Sequence, residues 1–127
     1  TYDVRAVPGL WCPEYKQPRI PNTLVETVDW LEVACAHAEQ DLGPRERAAG
    51  LVMLGHTHCA EITSKGRHVW LNPGHLRGDT DRDEPATYAV VNVSSGKVEI
   101  AIHGQLGDEI KRKSFTRAWF ESGKEKT

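Results

Sequence analysis

The sequence predicts a strand-rich α/β layered fold. Two apolar runs, Leu31–Ala36 and Leu51–Leu54, are continuous rather than alternating, which is typical of strands buried on both faces of a parallel sheet. Short β-rich segments joined by turn residues recur along the chain, whereas one brief helical stretch, Arg45–Ala49, separates the two apolar runs. Strands therefore outnumber helices, and an α/β fold that has fewer helices than usual fits better than an all-β sandwich.

The first half of the chain divides into a strand, a proline-rich loop and a hairpin. Val4–Val7 alternates as a strand does, and residues 8–22 contain four prolines and are predicted to form a loop. Thr23–Val28 and Leu31–Ala36 form a hairpin that turns at Asp29-Trp30. Gly43-Pro44 then precedes the short helix.

The second half of the chain consists of two further hairpins and a last strand. Their predicted elements are a Glu61–Ser64 and His68–Leu71 pair, a tight turn at 72–75, a charged surface loop over 77–85, a Thr87–Val93 and Lys97–Ile102 pair, an exposed edge strand over Ile110–Arg117, and a polar tail over 121–127.

Composition limits the function classes. The 127 residues carry a formal charge of -2, which provides no general attraction to nucleic acid or to an anionic membrane. No apolar run approaches the roughly 20 residues that a membrane-spanning helix needs. The three cysteines are widely spaced and odd in number, so we expect free thiols, no disulfide framework and a cytoplasmic protein.

The most informative motif is Gly55-His56-Thr57-His58, directly after the predicted strand Leu51–Leu54. In an extended backbone, residues two apart point to the same side, so the two imidazoles converge. Paired imidazoles suit a divalent transition metal, although a histidine pair is also compatible with an ordinary protein surface.

Gly-His-Thr-His at a strand end, followed by two short strands and by Asn72-Pro73-Gly74, resembles the calcineurin-like metallophosphoesterases. The likeness is greatest to the small single-domain phosphodiesterase branch, which includes the phosphoesterase-fold subunit of the retromer coat. Pro85–Val91 and the hairpin that leads to His37 match the same family pattern. The resemblance implies a four-layer αββα sandwich, here partial, with residues 1–120 as the C-terminal portion of the domain.

The resemblance also implies a metal-dependent site. His37, His56 and His58 would bind divalent ions (Mn, Zn, Ni or Fe, and two of them in the intact family site), and Asn72, Gly74, His75 and Arg77 would bind the substrate. The metals of such a site hold phosphate oxygens and activate water for attack on phosphorus.

Two departures from the family pattern leave the activity open. The family's opening βαβ elements, which supply the bridging carboxylate, have no counterpart in this sequence. Leu10, Trp11 and Cys12 occupy the positions of its Asn-(His/Cys)-Asp motif, and leucine has no donor atom. A degenerate site of this kind would bind no metal.

Two functions are therefore compatible with the sequence. One is a divalent-metal-dependent phosphodiesterase or phosphatase that acts on a small phosphoester or a nucleotide and is complete only with the missing N-terminal half. The alternative is a catalytically degenerate scaffold of the same fold, whose apolar sheet surface a protein partner or a second chain covers.

Overall fold

The computed structural model describes residues 22–55, 59–75, 80–81 and 84–122. Within these residues the chain forms ten strands and two α-helices: β1 Thr23–Val28, β2 Leu31–Ala36, α1 Pro44–Arg47, β3 Leu51–Leu54, β4 Glu61–Lys65, β5 His68–Asn72, β6 Thr80–Asp81, β7 Glu84–Pro85, β8 Thr87–Val93, β9 Lys97–Gly104, β10 Glu109–Thr116 and α2 Arg117–Ser122. None of the helices in this part of the chain has the length and apolar character needed to cross a bilayer.

Five strands form a mixed sheet in the order β1-β2-β3-β5-β4. The pairs β1·β2 and β4·β5 are antiparallel hairpins, whereas β2·β3 and β3·β5 are parallel. The first hairpin turns at Asp29, which has a φ of 59°. Because β2, β3 and β5 run in the same direction, their carboxyl ends lie at one edge of the sheet.

A second, antiparallel sheet contains the last three long strands in the order β10-β9-β8. The strand β10 lies at its edge and is exposed along almost its whole length, as the sequence predicts. Its side chains include Lys111, Arg112 and Lys113, and charged side chains of this kind protect an edge strand from pairing with other molecules.

The main core lies between the two sheets. The five-stranded sheet contributes Leu31, Leu51, Ile62, Val69 and Leu71, and the three-stranded sheet contributes Val98, Ile100 and Ile102. Alternate residues of β2, β3 and β5 point away from this core and bury a second cluster that includes Ala34, Val52 and Leu42. The central strands are therefore covered on both faces, which explains why their sequences are continuously apolar.

The segment between β2 and β3 covers the outer face of the five-stranded sheet. It contains a 3₁₀ turn at Glu39–Asp41 and the four-residue helix α1. Two sheets packed face to face with a thin helical layer outside one of them confirm the predicted partial α/β sandwich. The N-terminal strand and proline-rich loop of the prediction lie outside the described residues.

Three details differ from the prediction or extend it. Part of the predicted loop 77–85 forms a two-stranded ribbon, in which β6 pairs with β7. The helix α2 continues through Glu121 and Ser122, two residues into the predicted tail, because Trp119 and Phe120 are buried in the main core and hold it there. The aromatic pair thus caps the end of the two sheets, a role that the sequence leaves undecided.

Candidate metal site and its supporting turn

Three chain segments meet at the edge where the parallel strands end. His37 directly follows β2, Gly55 directly follows β3, and Asn72 is the last residue of β5. The strands are neighbours in the sheet, so these residues lie side by side. Carboxyl ends of parallel strands are where α/β folds commonly place their ligand sites.

His37 and Gly55 are in direct contact. The Gly55 amide donates a hydrogen bond to the His37 carbonyl oxygen at 2.9 Å. A Cβ atom at position 55 would lie 3.5 Å from Nδ1 of His37, so the imidazole rests against the glycine. His56, the next residue in the sequence, lies outside the described residues.

Asn72 connects Gly55 to the turn that follows β5. Its Nδ2 atom donates to the Gly55 carbonyl oxygen at 3.2 Å, and its Oδ1 atom accepts from the Gly74 amide at 3.0 Å. Both ends of the side-chain amide are thus used to hold backbone. The observed role of Asn72 is to position the residue before His56 relative to the Asn-Pro-Gly turn.

Thr87 holds the other side of the same turn. Its hydroxyl donates to the Pro73 carbonyl oxygen at 2.8 Å, and its amide donates to the His75 carbonyl oxygen at 2.9 Å. Gly74 has a φ of +94°, and a Cβ atom there would overlap the Thr87 hydroxyl. The turn therefore needs glycine both for its backbone conformation and for its contact with Thr87.

The sequence predicts Thr87 only as a residue of a strand, without this contact. The sequence offers no indication of it, because β8 and the turn are brought together by the tertiary fold. His75, predicted to bind substrate, is buried beside this contact with 5% of its surface exposed.

The structure brings together His37, Asn72, Gly74 and His75 of the predicted site residues. The other three, His56, His58 and Arg77, lie outside the described residues, as do Leu10, Trp11 and Cys12. Among the residues that the structure describes, no group of three or more His, Cys, Asp or Glu side chains converges as a metal site. The described part of the site therefore supplies the imidazoles of His37 and of the buried His75, together with a hydrogen-bonded backbone frame.

An open cleft of about 460 Å³ adjoins this edge on the outer face of the five-stranded sheet. Gly55 and Asn72 line one end of it, and Leu54 and Trp70 line its floor. Thr63 and Lys65, from β4, line one side. The cleft is large enough for a nucleotide-sized molecule.

Comparison with solved structures identifies proteins of the same fold. The chain is similar to a predicted phosphoesterase from Streptococcus pneumoniae (TM-score 0.62, 19% identity, covering 77% of this chain and 63% of that one). It is also similar to Vps29 from Entamoeba histolytica complexed with Zn²⁺ (TM-score 0.55, 17% identity, covering 75% of this chain and 60% of that one). A third similar structure is that of Chaetomium thermophilum Vps29 complexed with a RaPID-derived cyclic peptide (TM-score 0.58, 17% identity, covering 78% of this chain and 64% of that one).

These likenesses establish the fold, and the chain spans 60–64% of the length of those three proteins. No curated protein matches the sequence significantly. A family model described as the calcineurin-like phosphoesterase superfamily domain matches residues 1–96, which is three quarters of the chain. The chain therefore belongs to the calcineurin-like phosphoesterase superfamily.

Proposed function

We propose that this chain carries the histidine side of the metal site of a divalent-metal-dependent phosphoesterase. The observation that carries the proposal is the contact between His37 and Gly55, which directly precedes the histidine pair. His37, His56 and His58 would bind the metal. The Entamoeba relative that was solved with Zn²⁺ supports a metal in this fold.

The donor set fits one divalent ion. Three neutral imidazoles form a familiar zinc set with an open fourth position, whereas two close cations need carboxylates to offset their charge. When bound, the ion would polarise a phosphoryl oxygen and acidify water. Asn72 and Thr87 would hold the backbone that leads to the histidines through their hydrogen bonds. Arg77 would attract the phosphate anion of the substrate.

The metal proposal is tested by titrating the chain with Zn²⁺ and Mn²⁺ in a calorimeter. We expect one ion per chain, and at least about a tenfold loss of affinity in His37→Ala and in the double variant His56→Ala/His58→Ala. His103→Ala is the matched control, since His103 lies on the other sheet, where its Nδ1 atom contacts the Gly107 carbonyl oxygen at 3.1 Å. Equal affinity in all variants would exclude this site.

The enzymatic part of the proposal is tested with bis(p-nitrophenyl) phosphate and Mn²⁺. The protein used is the longest chain that its gene encodes, because this chain covers only part of its relatives' length. We expect hydrolysis that is lost in the His56→Ala/His58→Ala variant. A metal-loaded protein without hydrolysis would contradict the hydrolase proposal.

A second candidate function is a scaffold for protein–protein interaction. Leu10, Trp11 and Cys12 favour it, because no donor atom of the family motif remains at Leu10 and a large aromatic residue follows. The Chaetomium relative complexed with a cyclic peptide supports partner binding by this fold. Partner capture that persists in the His56→Ala/His58→Ala variant, with hydrolysis absent, would favour the scaffold.

We place the protein in the reducing cytoplasm. The three cysteines of the sequence, which are widely spaced and odd in number, support this placement.

A further inference from the structure

The cleft beside the candidate site has an aromatic floor. Trp70 lies on the outer face of β5 with its indole ring half-buried, and Leu54 of β3 extends the apolar surface toward the sheet edge. Thr63 is paired with Trp70 across β4 and β5 and places a hydroxyl group beside the ring. An aromatic ring with a few nearby polar groups is typical of a small-molecule site.

The charges around Trp70 indicate what kind of group the cleft accepts. The Lys65 ammonium lies 4.2 Å, and the Arg47 guanidinium 5.8 Å, from the Trp70 ring. Two acidic residues, Glu39 and Glu61, also line the cleft. Glu39 forms an ion pair with Arg47 at 3.6 Å, and Glu61 is paired with Asn72 across β4 and β5. At the Trp70 ring these two cations would repel a cationic group of a ligand, whereas they would not repel a neutral planar ring.

The Lys65 ammonium over the Trp70 ring does not prevent a ligand from stacking there. Its side chain is exposed, and cation–π contacts at exposed positions are weak, so a planar ligand can displace the ammonium from the ring. Lys65 lines one side of the cleft, and after displacement from the ring its charge would suit a ligand that also carries an anion.

The distance between Trp70 and the sheet edge indicates how far apart the aromatic group and the phosphate of a ligand would lie. Trp70 and Asn72 are two residues apart on the same face of β5, which corresponds to about 7 Å along the strand. A single pentose joins the base and the phosphate of a nucleotide, and it spans a comparable distance. A base on Trp70 would therefore leave its phosphate near Gly55 and Asn72.

We propose that this cleft binds the nucleobase or aryl group of the phosphoester substrate, stacked on Trp70, with the phosphate at the sheet edge. This inference rests on the proposed function, since it names the substrate class of the same site. It makes Trp70 a determinant of specificity rather than of the chemical step.

Binding is tested first without metal, by titrating adenosine 5′-monophosphate and ribose 5-phosphate while following the indole N–H resonances by NMR. We expect the nucleotide to shift the Trp70 resonance and to bind about 10- to 100-fold tighter than the sugar phosphate. Trp70→Leu should abolish this preference, and Trp70→Phe should retain most of it.

Tyr88→Leu is the matched control, because Tyr88 is an aromatic residue on the surface of the other sheet, where it stacks on His103. Its preference for the nucleotide should equal that of the wild type. Equal affinity for the two ligands in the wild type, or an unchanged preference in a folded Trp70→Leu variant, would overturn the inference.

A kinetic measurement separates this inference from the proposed function. If the protein hydrolyses phosphodiesters, Trp70→Leu should raise KM for thymidine 5′-monophosphate p-nitrophenyl ester about tenfold, with kcat within twofold. Hydrolysis with KM unchanged would overturn only the cleft assignment. A protein that prefers the nucleotide through Trp70 but hydrolyses nothing would overturn only the hydrolase.

Discussion

The side-chain amide of Asn72 donates a hydrogen bond to the carbonyl oxygen of Gly55, the residue before His56. The same amide accepts a hydrogen bond from Gly74. One side chain thus ties the strand end that leads into the histidine pair to the Asn-Pro-Gly turn of the neighbouring strand. The family motifs on β3 and β5 are parts of one backbone frame.

Replacement of Asn72 by Ala should loosen this frame. The Gly55 carbonyl and the Gly74 amide lose their partner, so we expect a loss of about 1–3 kcal/mol in the free energy of unfolding, measured by urea denaturation in EDTA. Zinc affinity should fall about tenfold, because second-shell contacts orient metal ligands. Asn92→Ala, at an exposed position on β8, is the control and should change neither quantity. Unchanged zinc affinity in Asn72→Ala would show that the frame does not orient the histidines.

Replacement of Gly74 by Ala should destabilise the protein more than the same change at Gly66. Both glycines have positive φ, 94° and 63°, but a Cβ at Gly66 has no atom within 4 Å, whereas one at Gly74 overlaps the Thr87 hydroxyl. We expect about 1 kcal/mol at Gly66 from backbone strain alone and at least about 2 kcal/mol at Gly74. Thermal unfolding of the two variants measures the difference. Equal losses would mean that Thr87 moves aside freely.

Glu46 should make the stability depend on pH. Hydrogen bonds lower the pKa of its carboxyl group, first from its own backbone N–H and then from the Gly43 N–H and the Thr23 hydroxyl, and partial desolvation opposes them. Because the folded-state pKa lies below the unfolded-state value of about 4.3, the stabilisation is present above that value and is lost as pH falls through the folded-state pKa.

Glu46→Gln should therefore cost about 0.5 kcal/mol near neutral pH, a small value because solvent screens this partly exposed group. The difference from wild type should shrink as the pH is lowered through the folded-state pKa. Urea unfolding over this range measures it, and Thr23→Val, which removes one of the hydrogen bonds, should show the same trend more weakly. A difference that grows in acid would contradict the assignment.

Phe120 should be among the costliest side chains to truncate. It is buried against Trp30 and Trp119, with ring centroids 5.6 and 4.9 Å away. Phe120→Ala should lower the free energy of unfolding by about 3–5 kcal/mol, since it leaves a cavity in the main core. Leu106→Ala, at a position that is 94% exposed, is the control and should have almost no effect. A small loss at Phe120 would show that α2 is not part of the core.

The sequence by itself determined the strands and the hairpins. Leu31–Ala36 and Leu51–Leu54 are recognisable because burial on both faces requires apolar side chains at every position, and Lys65-Gly66 marks a turn because glycine tolerates positive φ. The Gly55-His56-Thr57-His58 motif is likewise recognisable in the sequence, because its residues are consecutive and do not depend on contacts between distant segments.

Only the tertiary structure decided how these pieces meet. Thr87 lies twelve residues beyond His75, yet it holds that turn because β8 packs beside it, and no local pattern records such a contact. The burial of Trp119 and Phe120, and the cleft over Trp70, likewise depend on which faces the two sheets present to each other. Hydrogen bonds and packing between distant segments follow from sheet order and register, which local propensity does not specify.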